Sequence, residues 1–271
     1  MSEKRHLRWA VLGTGVIANE MAQALHSMGR TLDAVGNRTH EKAEAFAEKY
    51  GIPKVYGDYH EMFSDPEIDA VYITTPHNTH IAFLEEALSH GKHVLCEKSI
   101  TLNSAELERA QKLAEENRAV LAEAMTIYHM PLYRELIRRV RAGELGRVNL
   151  IQLNFGSFKP YDMTNRFFSR SLAGGALLDI GVYALSLARL FLDSSPDQVR
   201  SCVRKAPTGV DENAAIAMAN REGQLATAAL SLHSKQPKRA VVSCEKGYIE
   251  ILEYPRADRA VIVDAETGQT E

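Results

Sequence analysis

The sequence predicts an α/β protein in two parts. Residues 1–124 form a parallel sheet covered by helices on both faces, and residues 125–271 an α+β domain with a large, mainly antiparallel, open-faced sheet. Three observations predict this. Short β-branched runs alternate with amphipathic stretches as far as Glu123, a Gly-x-Gly turn joins the first strand to the first helix, and beyond Pro196 strand-like runs succeed one another with no helix between them. Parallel neighbours need crossover connections, which helices supply, whereas strands joined directly pair antiparallel and leave a face open.

Leu7–Leu12 is apolar and ends at Gly13, so it reads as the first strand, and Val16–Met28 has helical spacing through Ile17, Met21, Ala24 and Leu25. Thr31–Val35 is the second strand and His40–Tyr50 the second helix, with Ala43, Phe46, Ala47 and Tyr50 on one face. Ile68–Thr74 is a strand, His80–Ser89 a helix and His93–Cys96 a strand. Asn103 with Glu106 three residues on has the form of a capping box and opens a helix to Glu116. Val120–Glu123 closes the series. After Pro131 a basic helix, Tyr133–Arg141, leads through Gly143 to a strand at Val148–Phe155, and a polar loop then precedes one apolar helix over Gly174–Leu192. Ala228–Leu232, Gly247–Glu253 and Ala260–Asp264 alternate with the period of strands.

Composition narrows the function. A formal charge of −3 gives no electrostatic reason to expect nucleic acid or an anionic membrane as partner, and no apolar run predicts a membrane span. The charged start, Met1–His6, does not resemble a secretory signal. Three cysteines, Cys96, Cys202 and Cys244, without a Cys-x-x-Cys pair suggest neither a disulfide framework nor a zinc site. They read as buried or half-buried thiols in a reducing cytoplasm. His77, His80, His90 and His93 lack carboxylate or thiolate companions at ligand spacing, so no metal is expected. The arginines of 134–141 read as a solvated helix face.

Gly13-Thr14-Gly15-Val16-Ile17-Ala18 fits G-x-G-x-x-G/A between a strand and a helix. The first glycine permits a tight turn, the second lets backbone approach a pyrophosphate, and Ala18 allows close helix–strand packing. The helix start presents N–H groups to the anion. The pattern predicts a Rossmann domain that binds a nicotinamide dinucleotide. The second strand ends at Gly36-Asn37-Arg38-Thr39, where a carboxylate would hold the 2′-hydroxyl of NAD. Arginine there suits a 2′-phosphate, which favours NADP over NAD. Thr74-Thr75-Pro76-His77-Asn78, with His80 beyond, and Glu97-Lys98 end further strands at the same carboxyl edge, where such sheets bind ligands. A lysine cation there can lower the pKa of a hydroxyl or phenol.

Gly13-x-Gly15-x-x-Ala18, Thr75-Pro76-His77-Asn78-Thr79-His80, Glu97-Lys98 and Gly174-Gly175-Ala176-Leu177-Leu178-Asp179-Ile180-Gly181-Val182-Tyr183 together resemble the glucose–fructose oxidoreductase/inositol dehydrogenase (Gfo/Idh/MocA) family. The last run is nearest in pattern to dihydrodiol and aldose dehydrogenases. The resemblance implies an NADP-dependent (or NAD-dependent) oxidoreductase moving hydride to or from a carbinol or carbonyl carbon of a sugar, cyclic polyol or dihydrodiol. It implies Lys98, Asp179 and Tyr183 as catalytic residues. Tyr183 would be the acid/base, Lys98 its electrostatic helper (or the reverse), and Asp179 the orienting group. An open sheet face with exposed edges further suggests a homodimer or homotetramer.

Two departures from the family pattern stand out. Ser99 occupies the place of the proline that follows Glu-Lys, a change that removes a fixed φ and restores a donor. Relatives continue to a further helix, so a C-terminal piece is expected to be missing after Glu271. Two other readings use the same residues: a catalytically silent cofactor-binding regulator, and a redox-neutral enzyme that retains NAD.

Overall fold

A computed structural model describes residues 6–271 as two units, one ending at Ala124 and the other beginning at Met125. In the first unit β1 (Trp9–Leu12), α1 (Val16–Ser27), β2 (Ala34–Gly36), α2 (His40–Tyr50), β3 (Lys54–Tyr56) and α3 (Tyr59–Ser64) make one half. The other half is β4 (Ala70–Ile73), α4 (His80–Ser89), β5 (His93–Cys96), α5 (Ser104–Glu116) and β6 (Leu121–Glu123). The strands pair throughout as parallel neighbours in the order β3-β2-β1-β4-β5-β6. The order reverses between β1 and β4, and a doubly wound sheet opens a crevice outside the carboxyl ends of its strands at such a point. Val11, Ala18, Leu25, Val35 and Phe46 fill one face of the sheet, and Leu12, Phe63, Ile73, Leu84 and Val94 the other.

β3 and α3 answer to no element expected from the sequence. One is three residues long and the other six, too short for periodicity to register, and Asp58 starts α3 by accepting from the His60 N–H at 2.8 Å. Thr31 and Leu32 lie before β2 rather than in it. The expected capping box is present: Asn103 accepts from the Glu106 N–H at 3.0 Å, and the Glu106 carboxylate accepts from the Leu102 N–H at 2.9 Å.

The second unit comprises α6 (Pro131–Arg141), β7 (Val148–Gly156), α7 (Val182–Phe191), β8 (Gln198–Lys205), β9 (Asp211–Ala219), β10 (Leu225–Ser231), β11 (Gln236–Cys244), β12 (Gly247–Leu252) and β13 (Val261–Asp264). Its sheet runs β13-β12-β11-β7-β10-β9-β8, and every pairing is antiparallel except β7 with β10. Ile151, Leu153, Ala228, Leu230, Val242 and Ile249 share one core with Ala184, Leu187 and Phe191 of α7. The buried Tyr133 hydroxyl ties α6 to this core by donating to the Tyr254 carbonyl. Gln152, Asn154, Arg200, Cys202, Thr227 and Arg239 line a shallow groove on the sheet, and β8 is exposed along its whole length.

Three expectations need correction here. The single helix expected over 174–192 is broken: Leu177–Gly181 winds as a π-type turn before α7 begins. Gly181 sits where a Cβ would come 2.8 Å from Leu230 Cδ1, so the absent side chain is what allows this close approach to β10. Residues 170–191 are also long and apolar enough, by length and composition, to cross a membrane; their buried side chains belong to the core of this unit. Cys202 is exposed on β8 rather than buried, because strand alternation there has no covering layer on either side, while Cys96 is buried and Cys244 half-buried. Burial pushes the Cys96 thiol well up and Cys244 up to about 11.

Candidate active site

Residues predicted for the cofactor gather at the carboxyl edge of the parallel sheet. Gly13 turns the chain out of β1 with φ +105°, a conformation that L side chains avoid, and a Cβ there would lie 2.5 Å from Thr74 Oγ1. Thr74 is itself fixed across the strands, its hydroxyl donating to the Leu12 carbonyl at 2.9 Å. Gly15 differs. It precedes α1 with φ −74° and ψ −169°, open to any residue, and a Cβ on it would meet nothing within 4 Å. Among the described residues no side chain caps α1, and no acidic residue stands in its first turn, so the N–H groups of Val16 and Ile17 begin the helix with the positive end of its dipole unmasked. That open cradle fits a pyrophosphate.

Beside it lies a cleft of about 580 Å³ lined by Thr14, Gly15, Asn37, Arg38, Thr39, Lys42 and Lys49 among others. The Asn37 amide donates to Thr14 Oγ1 at 2.7 Å and its oxygen accepts from the Thr39 N–H at 2.9 Å. Asn37 thus joins the glycine loop to the start of α2, leaving the exposed Arg38 between them. Lys42 and Lys49 escaped the reading of the sequence. They belong to the same helix, but a helix face rich in lysine reads as solvated until β2 is seen to deliver Arg38 beside it.

The loops after β4 and β5 are tied together by His80. The ring is fully buried, with Nδ1 2.8 Å from the Ser99 carbonyl and Nε2 2.8 Å from the Thr75 carbonyl. Burial lowers its pKa, against the upward pull of these backbone partners. Thr79 donates to Thr75 Oγ1 at 2.8 Å, and the buried His77 ring meets His80 edge-on at 5.7 Å. Asn78 Oδ1 is buried without a hydrogen-bond partner among the described residues. An orphaned acceptor within the predicted cofactor loop is the second observation, with the Gly15 cradle, that fits a bound dinucleotide.

Lys98 follows β5, joined to Ser99 by a cis peptide bond. Glu97 beside it accepts the Tyr72 hydroxyl at 2.5 Å, which engages one of its carboxylate oxygens. Under the same loop Glu123 accepts from the Ile100 N–H at 3.0 Å. Burial raises the Glu123 carboxyl, and the nearby Glu97 charge adds to the rise. Glu123 opens the segment 123–129 that the sequence suggests as a wall of the pocket, whereas Tyr72 did not stand out, since the apolar run of β4 gives no sign that its hydroxyl reaches Glu97.

In the second unit Asp179 belongs to the π-type turn and Tyr183 to the first turn of α7. Asp179 is buried, with the Arg166 guanidinium 3.9 Å from its Oδ1. Arg166 also lies over the Phe167 ring at 4.2 Å, as does Lys159. Tyr183 packs 6.0 Å from Phe155 of β7.

Two family models match in succession: "Oxidoreductase family, NAD-binding Rossmann fold" over residues 7–125 and "GFO/IDH/MocA C-terminal domain" over residues 133–250. The chain belongs to the Gfo/Idh/MocA family. It is accordingly an oxidoreductase whose first unit binds a nicotinamide dinucleotide. Relatives in this family include trans-1,2-dihydrobenzene-1,2-diol dehydrogenases. The protein of Xenopus laevis is 31% identical over 261 residues, covering 95% of this chain and 78% of that one, and that of Mus musculus 32% over 251, covering 90% and 74%. Among solved structures, aldose-aldose oxidoreductase from Caulobacter crescentus, complexed with glycerol, is 28% identical with a TM-score of 0.88, covering 98% of this chain and 83% of that one. A 3-ketoreductase from Actinomadura kijaniata in complex with NADP and TDP-benzene shares the fold, with a TM-score of 0.87 at 23% identity, covering 98% of this chain and 84% of that one.

Proposed function

We propose that this Gfo/Idh/MocA protein is an NADP-dependent dehydrogenase or reductase, working on a carbinol or carbonyl carbon of a sugar, cyclic polyol or dihydrodiol. The observation that carries the cofactor choice is the cationic cleft at the end of β2. Arg38, Lys42 and Lys49 line it, and Gly36-Asn37-Arg38-Thr39 holds no carboxylate to receive a 2′-hydroxyl. The substrate class follows from what the relatives are named for, a trans-dihydrodiol and aldoses.

In this reading Gly13, Thr14, Gly15, Val16 and Ile17 hold the pyrophosphate, Asn37 and Arg38 the adenosine side, and residues 74–78 with His80, Glu97 and Lys98 the nicotinamide side. When bound, the nicotinamide supplies the hydride acceptor. The chain's own groups handle the proton. A tyrosine hydroxyl has a pKa of about 10 in water, too high for a base near neutrality, and a lysine cation favours the phenolate. Tyr183 takes the carbinol proton, Lys98 supplies the positive field, and Asp179, oriented by Arg166, fixes the substrate hydroxyl. The first unit is the cofactor domain, and the second is the domain for substrate and self-association. Its exposed sheet groove seats a second copy of the chain, and three unpaired thiols suit a reducing cytoplasm.

Titration with NADPH and NADH, for wild type and Arg38→Ala, tests the cofactor reading. Loss of a charge-assisted contact should weaken NADPH roughly 10- to 100-fold and NADH much less. Equal weakening of both would refute the NADP assignment. Cofactor absorbance with trans-1,2-dihydrobenzene-1,2-diol and a set of aldoses tests the reaction. Tight NADPH binding with no turnover of any of them would point instead to a silent regulator.

A further inference from the structure

The geometry points to Asp211, the first residue of β9, as the positioning residue for the segment that carries Asp179 and Tyr183; this rests on the reading that those two side chains act in the reaction. Leu177 opens the π-type turn, and its N–H donates to Asp211 Oδ2 at 2.6 Å. The nearby Ala176 N–H also favours the charged carboxylate. A helical segment leaves its first N–H groups without partners inside the helix, and a carboxylate there meets both that need and the positive end of the dipole. The cap comes from a strand far along the chain rather than from the residue before the helix. The start of the Asp179–Tyr183 segment is therefore held by the sheet.

The two glycines of the motif make this contact possible. Gly175 has φ +126°, and a Cβ on it would overlap the Asp211 carboxylate. At Gly174 a Cβ would come 2.5 Å from the Phe167 carbonyl oxygen and 2.6 Å from that of Arg166. The Gly174 and Gly175 N–H groups donate to Ser169 and Phe167 at 2.9 Å each. The segment is thus pinned on one side by the loop that presents Arg166 to Asp179, and on the other by Asp211. From there the Asp179 N–H donates to the Gly175 carbonyl at 3.1 Å, so displacement at the cap passes directly to the Asp179 backbone.

Burial raises the Asp211 carboxyl, outweighing the backbone N–H groups of Leu177, Asp211 itself and Ala176, which pull it down. Burial thus opposes the charged form, and the backbone N–H groups favour it. An asparagine of the same shape would retain one acceptor without that penalty.

The test uses the full chain with Asp211→Asn and Asp211→Ala. Amide hydrogen exchange across residues 175–185 should quicken roughly tenfold in Asp211→Ala, as for a lost helix cap, and much less in Asp211→Asn. Exchange across residues 10–20 should stay unchanged. Unchanged exchange over 175–185 in both variants would overturn the cap. Turnover of trans-1,2-dihydrobenzene-1,2-diol with NADP should show kcat falling roughly tenfold in Asp211→Ala, KM for NADP constant, and substantial recovery in Asp211→Asn. A purely structural role predicts instead that kcat per folded molecule is unchanged in both variants, whatever their melting temperatures. Tyr183→Phe and Asp179→Asn separate the two levels. If both turn over as wild type, the catalytic reading fails while exchange still judges the cap. If both are inactive and Asp211→Ala keeps wild-type kcat, the positioning role is refuted.

Discussion

Gly15→Ala separates what a glycine does for the protein from what it does for the ligand. At φ −74° and ψ −169° an alanine is unstrained, and its methyl would have no neighbour within 4 Å. Replacing glycine at such a position stabilises a fold by roughly 0.4–1 kcal/mol, because the unfolded chain has less freedom to lose. For a chain of this size each kcal/mol moves the melting temperature by about 2–4 °C, so the variant without cofactor should melt roughly 1–4 °C higher. The same methyl fills the cradle at the start of α1, where backbone must approach a pyrophosphate. Overpacking costs roughly 1–3 kcal/mol, which weakens NADPH about 5- to 150-fold. Thermal melting without cofactor and a fluorescence titration with NADPH read the two effects separately. A melting temperature several degrees lower would show that Gly15 is needed for packing. Wild-type affinity would show that the pyrophosphate does not use this loop. Gly13→Ala is the control, since its strain lies in the protein itself and should lower stability by about 1–3 kcal/mol even without cofactor.

Three further outcomes are expected. The Glu123 carboxyl is raised by burial, so its contribution to stability is fully present below the unfolded glutamate value of about 4.3 and is lost as pH rises through the folded value. Glu123→Gln keeps an acceptor for the Ile100 N–H and should gain on wild type in urea denaturation between acid pH and neutrality; a gap independent of pH would contradict this. Tyr133→Phe leaves the buried Tyr254 carbonyl without its donor and should lower stability by about 1–3 kcal/mol in the same assay, with no change counting against that bond. Cys202 should be the one rapidly labelled thiol in dilute protein, since Cys96 is buried and Cys244 is pushed up to about 11. Under the proposed self-association through the sheet face its labelling should slow as protein concentration rises, and a concentration-independent rate would argue against that face.

Much of the first unit was determined by the sequence alone, because its rules are local. Helices at His40–Tyr50 and His80–Ser89 and the strand at His93–Cys96 coincide with the apolar periodicity that predicts them. The Asn103–Glu106 capping box and the Gly13 turn depend on neighbours a few residues away, so residue types at fixed spacing suffice. The antiparallel character of the second sheet was likewise legible in strands that follow one another without helices. Tertiary structure decided the rest. It placed Lys42 and Lys49 beside Arg38, buried Glu123 under the Lys98 loop, broke the 174–192 helix where Gly181 meets Leu230, paired β7 with β10 in parallel, and exposed Cys202 on an uncovered strand. Above all it brought Asp211 to the N–H of Leu177. A carboxylate and an amide more than thirty residues apart carry no shared periodicity, and only the folding of β9 against its neighbours makes one the cap of the other.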